Sequence, residues 1–278
     1  MARSDADRDG TIPAGERSES RSWDEGVPRR GGDAAHLAHL IGPWTVLVVE
    51  RDSAAEQMAF DVELAAAAQP VFRLFRWAHP AVSVGRNQLV PDWADPWRVS
   101  RYGVEFVQRP TGGALAVHGS DLSCSVIVPR HPAVKLPRLM ETVCGAVAGA
   151  VSASGVSARW LGDASAARRG GLRYCLTETS PYAVLAPPSA GSPTGDRKLC
   201  GFAVRRFPQS WLIQGSLLVR TLPSVFQDVM PAGVHAQFAA RAVSLEAAAG
   251  RPVTDEELVA RMIQAWAEAW RRDAVHAL

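Results

Sequence analysis

Short apolar runs with strand-like composition begin at Trp44 and recur along most of the chain. Trp44–Glu50 and Val71–Trp77 are rich in residues that favour strands, and both are predicted to be β-strands. Between them, Ser53–Ala68 has apolar residues at helical spacing, and Asp52 or Ser53 can cap its first turn. The segment therefore opens as strand, helix, strand.

The same reading extends over the middle of the chain. Two of its strands, Ala114–Gly119 and Ser120–Pro129, are predicted to form a hairpin because only a short polar turn separates them. The other predicted strands are Ala81–Gly85, Gly103–Pro110, Val156–Leu161, Tyr182–Leu185, Lys198–Phe207 and Trp211–Val219.

Helical patterns surround these strands. Leu136–Ser154 is apolar on most faces and is predicted to be a buried helix, and Val234–Ala249 is predicted to be a second. A third begins at Thr254, with acidic residues in its first turn. Ala186–Asp196 is rich in Pro, Gly and Ser and is predicted to be a loop. This order predicts a single α+β domain with mixed or antiparallel sheets flanked by helices.

Composition narrows the function classes. The 278 residues carry a net charge of +2, so no global charge points to nucleic acid or to a membrane surface. No apolar run approaches the roughly 18–20 residues of a membrane span. Residues 1–35 are charged and rich in Gly, Ser and Arg, without the apolar middle of a secretory signal. We predict a disordered leader over 1–35, a catalytic domain over 36–278, and a cytoplasmic location.

The four cysteines are expected to be free thiols. Cys124, Cys144, Cys175 and Cys200 show no CxxC spacing, and no His or Cys cluster has metal-ligand spacing. No metal site is therefore predicted. Most free cysteines are small buried hydrophobes, so a chemical role for any one of them needs its own argument.

Three polar, glycine-containing segments interrupt the apolar structure, at residues 83–88, 109–118 and 197–201. The Gly112–Gly113 pair follows a strand and leaves backbone N–H groups free to face an anion or a carbonyl oxygen. Arg109 beside it can supply a cation. Taken alone, this pattern also fits a hairpin turn with a surface arginine, and His118 also fits a structural histidine.

Taken together, the segments resemble the lipoate–protein ligase and octanoyltransferase superfamily, which includes biotin–protein ligases. SVGRNQ resembles the family's GRNQ turn, and QRPTGGALAVH resembles its RR-x-[ST]-GG-x-AV-x-H loop. GDRKLCGFA, followed by QGSLLV, resembles G-x-K-[IV]-x-G-S-A followed by HGS-[IL]-L. Met58–Glu63 fits the opening N-M-A-x-D helix, and LEAAAGRPVTDEELVARMIQAW resembles the end of the cysteine-dependent octanoyltransferases. The likeness runs from about Trp44 to the C-terminus.

The resemblance implies a set of site residues. Those implied to bind the acyl group or another part of the substrate are Gly85, Arg86, Asn87, Arg109, Thr111, Gly112, Gly113, Ala114, Val117, His118 and Gly201. An eight-carbon chain is selected by burial worth about 0.8 kcal/mol per CH₂, so a narrow apolar channel is expected. The residues predicted to line this channel are Val84, Leu115, Val117 and Phe202, although each also fits a core position.

Cys175 indicates which branch of the family is closest. The segment CLTETSPY, which starts at Cys175, resembles the C-F-E-x-x-S-x-Y segment of the cysteine-dependent octanoyltransferases. The resemblance implies that Cys175 carries the acyl group and that Lys198 lowers its pKa. A neighbouring ammonium promotes the thiolate that attacks a thioester, and the Gly112–Gly113 amides could hold the oxyanion. The alternatives are a buried bystander cysteine and a solvated surface lysine. The extra loop ending at Gly195 is expected to bulge outward.

The other cysteines are less suited to catalysis. Cys200, two residues after Lys198, would point to the same strand face, so a second thiol in the pocket is conceivable. Packing as a small residue is the favoured interpretation. A different octanoyltransferase branch carries its cysteine near Phe207–Trp211, where this chain has none. Cys124 and Cys144 are predicted to be structural.

Three positions depart from the family pattern. Ala114 stands where the ligases often have glycine and the octanoyltransferases arginine. Gly119 stands where aspartate usually follows the histidine, and Gln214 stands where histidine precedes the final Gly-Ser. A divergent or inactive member of the family would show such changes.

Three functions remain open from the sequence. The first is transfer of an octanoyl or lipoyl group from acyl carrier protein to a lysine of a lipoyl-domain protein, without a cofactor. The acceptor would be the glycine cleavage H protein or a 2-oxoacid dehydrogenase E2, and the enzyme a monomer. The second is an ATP- and Mg-dependent lipoate–protein ligase, with Lys198 and the loop from Arg109 to Val117 around an acyl-adenylate. Only about 60 residues follow Val219, which favours the transferase. The third is a non-catalytic carrier-protein-binding homologue.

Overall fold

The computed structural model describes residues 41–162, 174–178, 180–188 and 195–275, with side chains up to residue 270. The leader predicted over 1–35 lies outside these residues. Of the predicted insertion, residues 189–194 also lie outside, and Ala186 belongs to a strand.

In the part of the chain that the structure describes, ten strands form two sheets. A seven-stranded sheet has the order β1-β2-β6-β10-β9-β8-β7, and only the β1–β2 pair is parallel. A three-stranded sheet has the order β4-β3-β5, with β3 parallel to β4 and antiparallel to β5. The strands are β1 Thr45–Val48, β2 Val71–Phe75, β3 Ala81–Gly85, β4 Glu105–Arg109, β5 Ala116–His118, β6 Asp121–Pro129, β7 Arg159–Trp160, β8 Val184–Ala186, β9 Arg197–Arg206 and β10 Ser210–Leu218.

Within the described ranges, seven α-helices with defined bounds pack around the sheets, together with a short 3-10 turn at Asp92–Ala94. The prediction had no counterpart for this turn, nor for the five-residue helices Pro96–Ser100 and Val225–Val229. The helices are α1 Ala54–Ala67, α2 Pro96–Ser100, α3 Leu136–Ala153, α4 Val225–Val229, α5 Ala232–Arg241, α6 Leu245–Ala249 and α7 Asp255–Val275.

Helix α1 begins as the sequence predicts. The Ser53 side chain accepts from the Glu56 amide while the Glu56 carboxylate accepts from the Ser53 amide, a reciprocal cap that fixes the first turn. Ala68 ends the helix at φ 52°. The buried face of α1 carries Met58 and Asp61 toward the large sheet.

The α+β class and the mixed sheets are confirmed. The main core lies between the large sheet and helices α3 and α7, with fully buried side chains such as Val143 and Leu258. A second core surrounds the small sheet and contains Val84, Leu176 and Phe238. The space between the two sheets is where a ligand can reach both.

The hairpin predicted for Ala114–Gly119 and Ser120–Pro129 is wrong. Strand β5 pairs with β3 in the small sheet, whereas β6 pairs with β2 and β10 in the large sheet. Gly119, at φ 118°, turns the chain between the sheets, and a Cβ there would lie 3.0 Å from Pro223 and 3.2 Å from Pro80. The tight turn therefore changes sheets instead of folding the chain back on itself.

The helix predicted over Val234–Ala249 is interrupted. Helix α5 ends at Arg241 and α6 begins at Leu245. Between them Ala242 bridges to Lys198 in β9, and the Val243 amide donates to the Lys198 carbonyl at 3.1 Å. Buried apolar residues, Val243 and Leu245, continue through the break. The sequence pattern therefore does not reveal where the first helix ends.

Candidate active site

A cavity lies between the two sheets, with about 470 Å³ of empty space counted to its open mouth. Both sheets, helix α1, the Gly-Gly loop and the Cys175 segment contribute to its walls. The residues that line it are Met58, Phe75, Trp77, Ser83, Arg109, Gly113, Ala114, Ala116, His118, Ser123, Cys124, Cys175, Gly201, Phe202, Ala203, Gln214, Gly215 and Ser216.

Cys175 is fixed in the wall by its neighbours. Tyr174 bridges to Leu115 in parallel, and the Cys175 amide donates to the Leu115 carbonyl at 2.7 Å. The Tyr174 hydroxyl accepts from the Trp93 indole at 3.1 Å, and Leu176 is buried in the second core. Because both flanking side chains are anchored, the half-buried Cys175 side chain faces the cavity.

A β-bulge aims Lys198 at the same place. Leu185 of β8 pairs with Lys198, while the preceding Val184 pairs with Cys200, so Leu199 is an extra residue in β9. One extra residue reverses the alternation of side chains along a strand. Lys198 and Gly201 consequently share a side of β9 although they are three residues apart.

The Lys198 ammonium is buried and fully engaged. It donates to the Cys175 carbonyl at 2.7 Å, to the Glu178 carbonyl at 3.0 Å and to the Ser180 hydroxyl at 2.9 Å. These three acceptors account for its three protons. Lys198 therefore ties the Cys175 segment to β9.

Gly201 lies where the thiol and the ammonium meet. A Cβ placed on Gly201 would be 2.6 Å from Cys175 Sγ and 3.1 Å from Lys198 Nζ. The sulfur and the nitrogen are thus within about 6 Å of each other, a range in which an opposite charge favours an ionised group. Only glycine leaves room for both.

The other three cysteines are buried, and burial raises the pKa of each thiol. Cys200 is 1% exposed in the main core beside Leu199, and its pKa lies well above the ordinary range. The expectation that it shares a face with Lys198 is wrong because of the bulge, whereas its interpretation as a packing residue agrees with its burial. Burial also raises the pKa of Cys144 and brings that of Cys124 to about 12. Cys124 nevertheless forms part of the cavity wall.

Arg109 is a second buried cation, 7% exposed. Its guanidinium donates to the backbone carbonyls of Gly112, Ala114 and Ser83 and to the Ser83 hydroxyl, at 2.6–3.2 Å. Burial lowers its pKa, and the charge of Cys175 acts against that shift. No carboxylate within the described ranges pairs with either Arg109 or Lys198.

The Gly-Gly loop presents free backbone donors. The Gly113 carbonyl packs directly on Gly85, where a Cβ would collide with it. Gly113 itself has φ 90°, which favours glycine. Across the described parts of the chain, the amides of Gly113 and Ala114 donate to no protein acceptor, and both residues line the cavity. They are suited to hold an oxyanion.

His118 belongs to a chain of hydrogen bonds in the cavity wall. Its Nδ1 lies 2.9 Å from Asp121 Oδ2, and its Nε2 lies 2.8 Å from Ser83 Oγ. The imidazole also stacks on Trp77, with ring centroids 4.0 Å apart. Asp121, two residues beyond Gly119, supplies the carboxylate that the family pattern places directly after the histidine.

Asp121 is held in its ionised form. Burial by itself would raise its pKa, but the charge of His118 and hydrogen bonds from His118, Ser216 and Ser123 lower the pKa to about 2. The Gly119 amide donates to its other oxygen at 3.1 Å. A carboxylate with this many donors is a fixed anion at neutral pH.

Gln214 ties the Gly-Gly loop to a buried ion pair. Its Oε1 accepts from the Thr111 hydroxyl at 2.6 Å, and its Nε2 donates to Asp61 Oδ2 at 2.7 Å. Asp61 in turn pairs with Arg73 at 2.8 Å, and both side chains are wholly buried. Glutamine thus replaces the family's histidine with one acceptor and one donor that both find partners.

Several predicted site residues lie elsewhere. Arg86 and Asn87 are exposed on the turn after β3, where the Arg86 amide donates to the Thr111 carbonyl. Gly112 is next to the lining residues without being one of them. Substrate contacts by these residues stay predictions.

The four residues considered for the channel lining divide between the two interpretations. Phe202 lines the cavity, whereas Val84, Leu115 and Val117 occupy core positions in the second core. In β5 the side chains of Ala116 and His118 face the cavity, so strand alternation turns Val117 away. The cavity is also less uniformly apolar than expected, because Ser83, Gln214 and Ser216 are in its walls.

Sequence reasoning missed three polar residues of the site. Ser180 accepts from Lys198, and its position was already marked by the serine of the Cys175 segment pattern. Ser83 and Asp121 bond to His118 from two different sheets. In the sequence, Asp121 stands two residues after Gly119, the position where the family has its aspartate, and this spacing could have indicated that the carboxylate is shifted along the chain.

The comparisons with known proteins identify the family of this chain. Residues 53–267 match the lipoyl protein ligase A/B catalytic domain, and the chain belongs to that family. It is similar to proteins named octanoyltransferase LipM. The one from Symbiobacterium thermophilum is 31% identical over 249 residues, 83% of each chain. The one from Kyrpidia tusciae is 29% identical over 245 residues, 81% of this chain and 86% of the other.

Solved structures share the fold. A lipoate-protein ligase A bound with ATP superposes with a TM-score of 0.64 at 17% identity, covering 85% of this chain and 93% of the other. A bi-partite lipoate protein ligase from Thermoplasma acidophilum, described with its E2 lipoyl domain, gives 0.58 at 17% identity, covering 84% and 89%.

The described ranges contain neither a membrane-spanning helix nor a metal-binding cluster. No helix there is both long and apolar enough to cross a membrane. No group of three or more His, Cys, Asp or Glu side chains there is arranged to hold a metal ion.

Proposed function

We propose that this chain is an octanoyltransferase that carries the acyl group as a thioester on Cys175 and passes it to a protein lysine. The observation that carries the proposal is the meeting of the Cys175 thiol and the Lys198 ammonium at Gly201, on the wall of a cavity between the sheets. The relatives of similar length named octanoyltransferase LipM support the acyl group and the reaction type.

The charges of the site suit anions that form during the reaction. Arg109 and Lys198 are buried cations whose hydrogen bonds all go to neutral oxygens. A buried cation without a counter-ion costs free energy unless an anion joins it. The Cys175 thiolate and the oxyanion of an attacked thioester are such anions, and the Gly113 and Ala114 amides add neutral donors.

The reaction then has two thioester-based steps. The Cys175 thiolate attacks the carbonyl carbon of the donor thioester, and the C–S bond to the carrier breaks with its electron pair on the carrier sulfur. The acceptor amine next attacks the new thioester, and the C–S bond to Cys175 breaks in the same way. Donor and intermediate are both thioesters, so the first step needs no ATP, metal or other cofactor.

We propose acyl carrier protein as the donor and a lipoyl domain as the acceptor. A thioester-bound acyl chain matches a thiol nucleophile, and the archaeal ligase of similar fold is described together with an E2 lipoyl domain. A cytoplasmic monomer is the form in which we expect this transfer to occur. The H protein of glycine cleavage is the other acceptor that the proposal includes.

Intact-protein mass spectrometry tests the thioester directly. The wild type is mixed with octanoyl-acyl carrier protein without ATP, beside Cys175→Ala and Cys200→Ala. We expect a hydroxylamine-labile octanoyl adduct on the wild type and on Cys200→Ala, and none on Cys175→Ala. No adduct on any protein, together with acyl-adenylate formation from lipoate and ATP, would instead identify a ligase.

A further inference from the structure

We propose that Ser83, His118 and Asp121 form the proton relay that deprotonates the acceptor lysine. This inference rests on the proposed function and concerns only its second step. A lysine at neutral pH is an ammonium, with a pKa of about 10.4, and must lose a proton before it can attack a thioester. The site must therefore contain a group that accepts this proton.

Lys198 and Arg109 do not meet this requirement. All three protons of the Lys198 ammonium are donated to oxygens, so the nitrogen offers no lone pair. A guanidinium stays protonated in proteins. Among the described residues that line the cavity there is no Asp or Glu, and His118 is the one histidine. Apart from Cys175, which carries the acyl group, His118 is the lining residue whose side chain has a nitrogen lone pair that can accept a proton.

The hydrogen bonds give the relay a direction. Asp121 is an anion, so it fixes the imidazole proton on Nδ1, at 2.9 Å. The Nε2 lone pair of His118 then accepts from the Ser83 hydroxyl at 2.8 Å. Ser83 Oγ also accepts from Arg109 Nη1 at 3.2 Å. The hydroxyl proton of Ser83 therefore points at His118, and its oxygen belongs to the cavity wall.

The relay is held rigidly. Ser83 is 1% exposed in the middle of β3, and His118 is 4% exposed at the end of β5. The imidazole stacks on Trp77, and Ser123 and Ser216 donate to the same Asp121 oxygen. A general base must keep its geometry through the reaction, and these contacts leave the ring no other orientation.

The step balances as follows. The acceptor ammonium gives a proton to Ser83 Oγ as the Ser83 hydroxyl proton moves to His118 Nε2, which makes a neutral amine and an imidazolium. The amine lone pair forms the C–N bond, and the C–S bond breaks with its pair on Cys175. The second nitrogen proton goes to that sulfur, and His118 later returns its proton to solvent. One amide, one thiol and one released proton result.

The surrounding charges favour this transfer. Asp121 faces His118 and stabilises the imidazolium, while Arg109 reaches it through Ser83. Arg76 acts on Asp121 electrostatically and also pairs with Asp255. The uncompensated cations Arg109 and Lys198 repel an entering ammonium and favour the neutral amine.

A single-turnover experiment separates the relay from the thioester. Octanoyl-Cys175 protein is prepared for the wild type, Ser83→Ala and His118→Gln, and each is mixed with a purified E2 lipoyl domain or with hydroxylamine. Hydroxylamine is uncharged at neutral pH and needs no base. We expect transfer to the lipoyl lysine to fall about 100-fold in both variants, with cleavage by hydroxylamine within about threefold of wild type.

Ser123→Ala is the matched control. It removes a buried hydroxyl of the same size from the same cavity wall and the same network, but on the far side of Asp121 from Ser83. Because Asp121 keeps its hydrogen bonds from His118, Ser216 and the Gly119 amide, we expect lysine transfer to fall far less than in Ser83→Ala. As pH rises toward the lysine pKa of about 10.4, the gap between wild type and Ser83→Ala should narrow, because more amine is already neutral.

Each outcome has a distinct meaning. Equal slowing of hydroxylamine and lysine in Ser83→Ala, or a gap that does not change with pH, would overturn the relay and make these residues structural. Wild-type lysine transfer in both variants would also overturn it. Failure of the wild type to form the thioester would contradict the proposed function itself.

Discussion

Two buried cations of the large sheet differ in one respect. In β2, Arg73 pairs with Asp61 at 2.8 Å, and neither side chain is exposed. In β9, Lys198 is 4% exposed and donates to two carbonyls and a hydroxyl. Among the described residues, Arg73 therefore has a carboxylate partner and Lys198 has none.

The difference indicates what each charge does. A buried pair is costly to break, because either partner alone is left uncompensated. Arg73 and Asp61 therefore serve the fold, and through Gln214 they hold Thr111 of the Gly-Gly loop. Among the described residues Lys198 has no carboxylate partner, and a thiolate or an oxyanion that forms beside it would supply the missing negative charge. A buried cation of this kind beside a cavity indicates a role in chemistry rather than in stability.

Arg73→Met should give the largest effect, on stability. It strands the Asp61 carboxylate, whose pKa burial already raises, and we expect a loss of about 3–5 kcal/mol in urea unfolding. Adding Asp61→Asn to the variant should restore part of the loss. Wild-type stability in Arg73→Met would show that the pair does not hold the fold.

Lys198→Met is the matched change in β9. It leaves no carboxylate without a partner, so the loss of unfolding free energy should be clearly smaller than in Arg73→Met, although three hydrogen bonds are removed. We expect thioester formation from octanoyl-acyl carrier protein to slow about 100- to 1000-fold, measured by rapid quench and mass spectrometry. A strongly destabilised variant that still forms the thioester at the normal rate would reverse the comparison.

Lowering the pH should change the free energy of unfolding in opposite directions through Asp121 and Asp61. The pKa of Asp121 is lowered from 3.8 to about 2, so its stabilisation is complete above about pH 4 and is lost as pH falls through 2. This amounts to about 2 kcal/mol. The pKa of Asp61 is raised, so its protonation favours the folded state as pH falls.

Urea unfolding of wild type and Asp121→Asn between pH 5 and pH 2 checks this assignment. The wild type should lose about 2 kcal/mol more than the variant over that range. Parallel curves would mean that Asp121 is not the depressed carboxyl.

Gly201→Ala should give the smallest effect on catalysis. Its methyl group would lie 2.6 Å from Cys175 Sγ, so the sulfur must move, and we expect thioester formation to slow about tenfold. Gly145→Ala is the control, because a Cβ there meets nothing within 4 Å in the middle of α3. It should stabilise the protein by about 0.5–1 kcal/mol without changing the rate. Equal rates of thioester formation in the two variants would show that Gly201 is not part of the site.

Much of the fold could be predicted because local sequence patterns determine where its helices and strands begin and end. The Ser53 cap, the strands from Ala81 to Gly85 and from Trp211, and the helix from Leu136 each follow from periodicity and capping. The pairing of strands could not. The turn at Gly119 looks like a hairpin turn, and only contacts with distant prolines send the chain to the second sheet.

Several residues of the candidate site could be predicted, but their arrangement could not. Cys175 and Lys198 came from resemblance, and nothing local shows that they meet. The bulge at Leu199 depends on pairing with β8, and it alone decides that Lys198 rather than Cys200 reaches the cavity side. The partners of His118 come from two sheets, so no sequence spacing could assemble them.

The kinetic competence of the Cys175 thioester tests the central claim most directly. Isolated octanoyl-Cys175 protein is mixed with an E2 lipoyl domain in the absence of ATP, and both masses are followed in time. We expect the octanoyl group to leave the enzyme and appear on the acceptor lysine in one time course, at a rate no slower than kcat. A thioester that persists, or that transfers more slowly than turnover, would contradict the account.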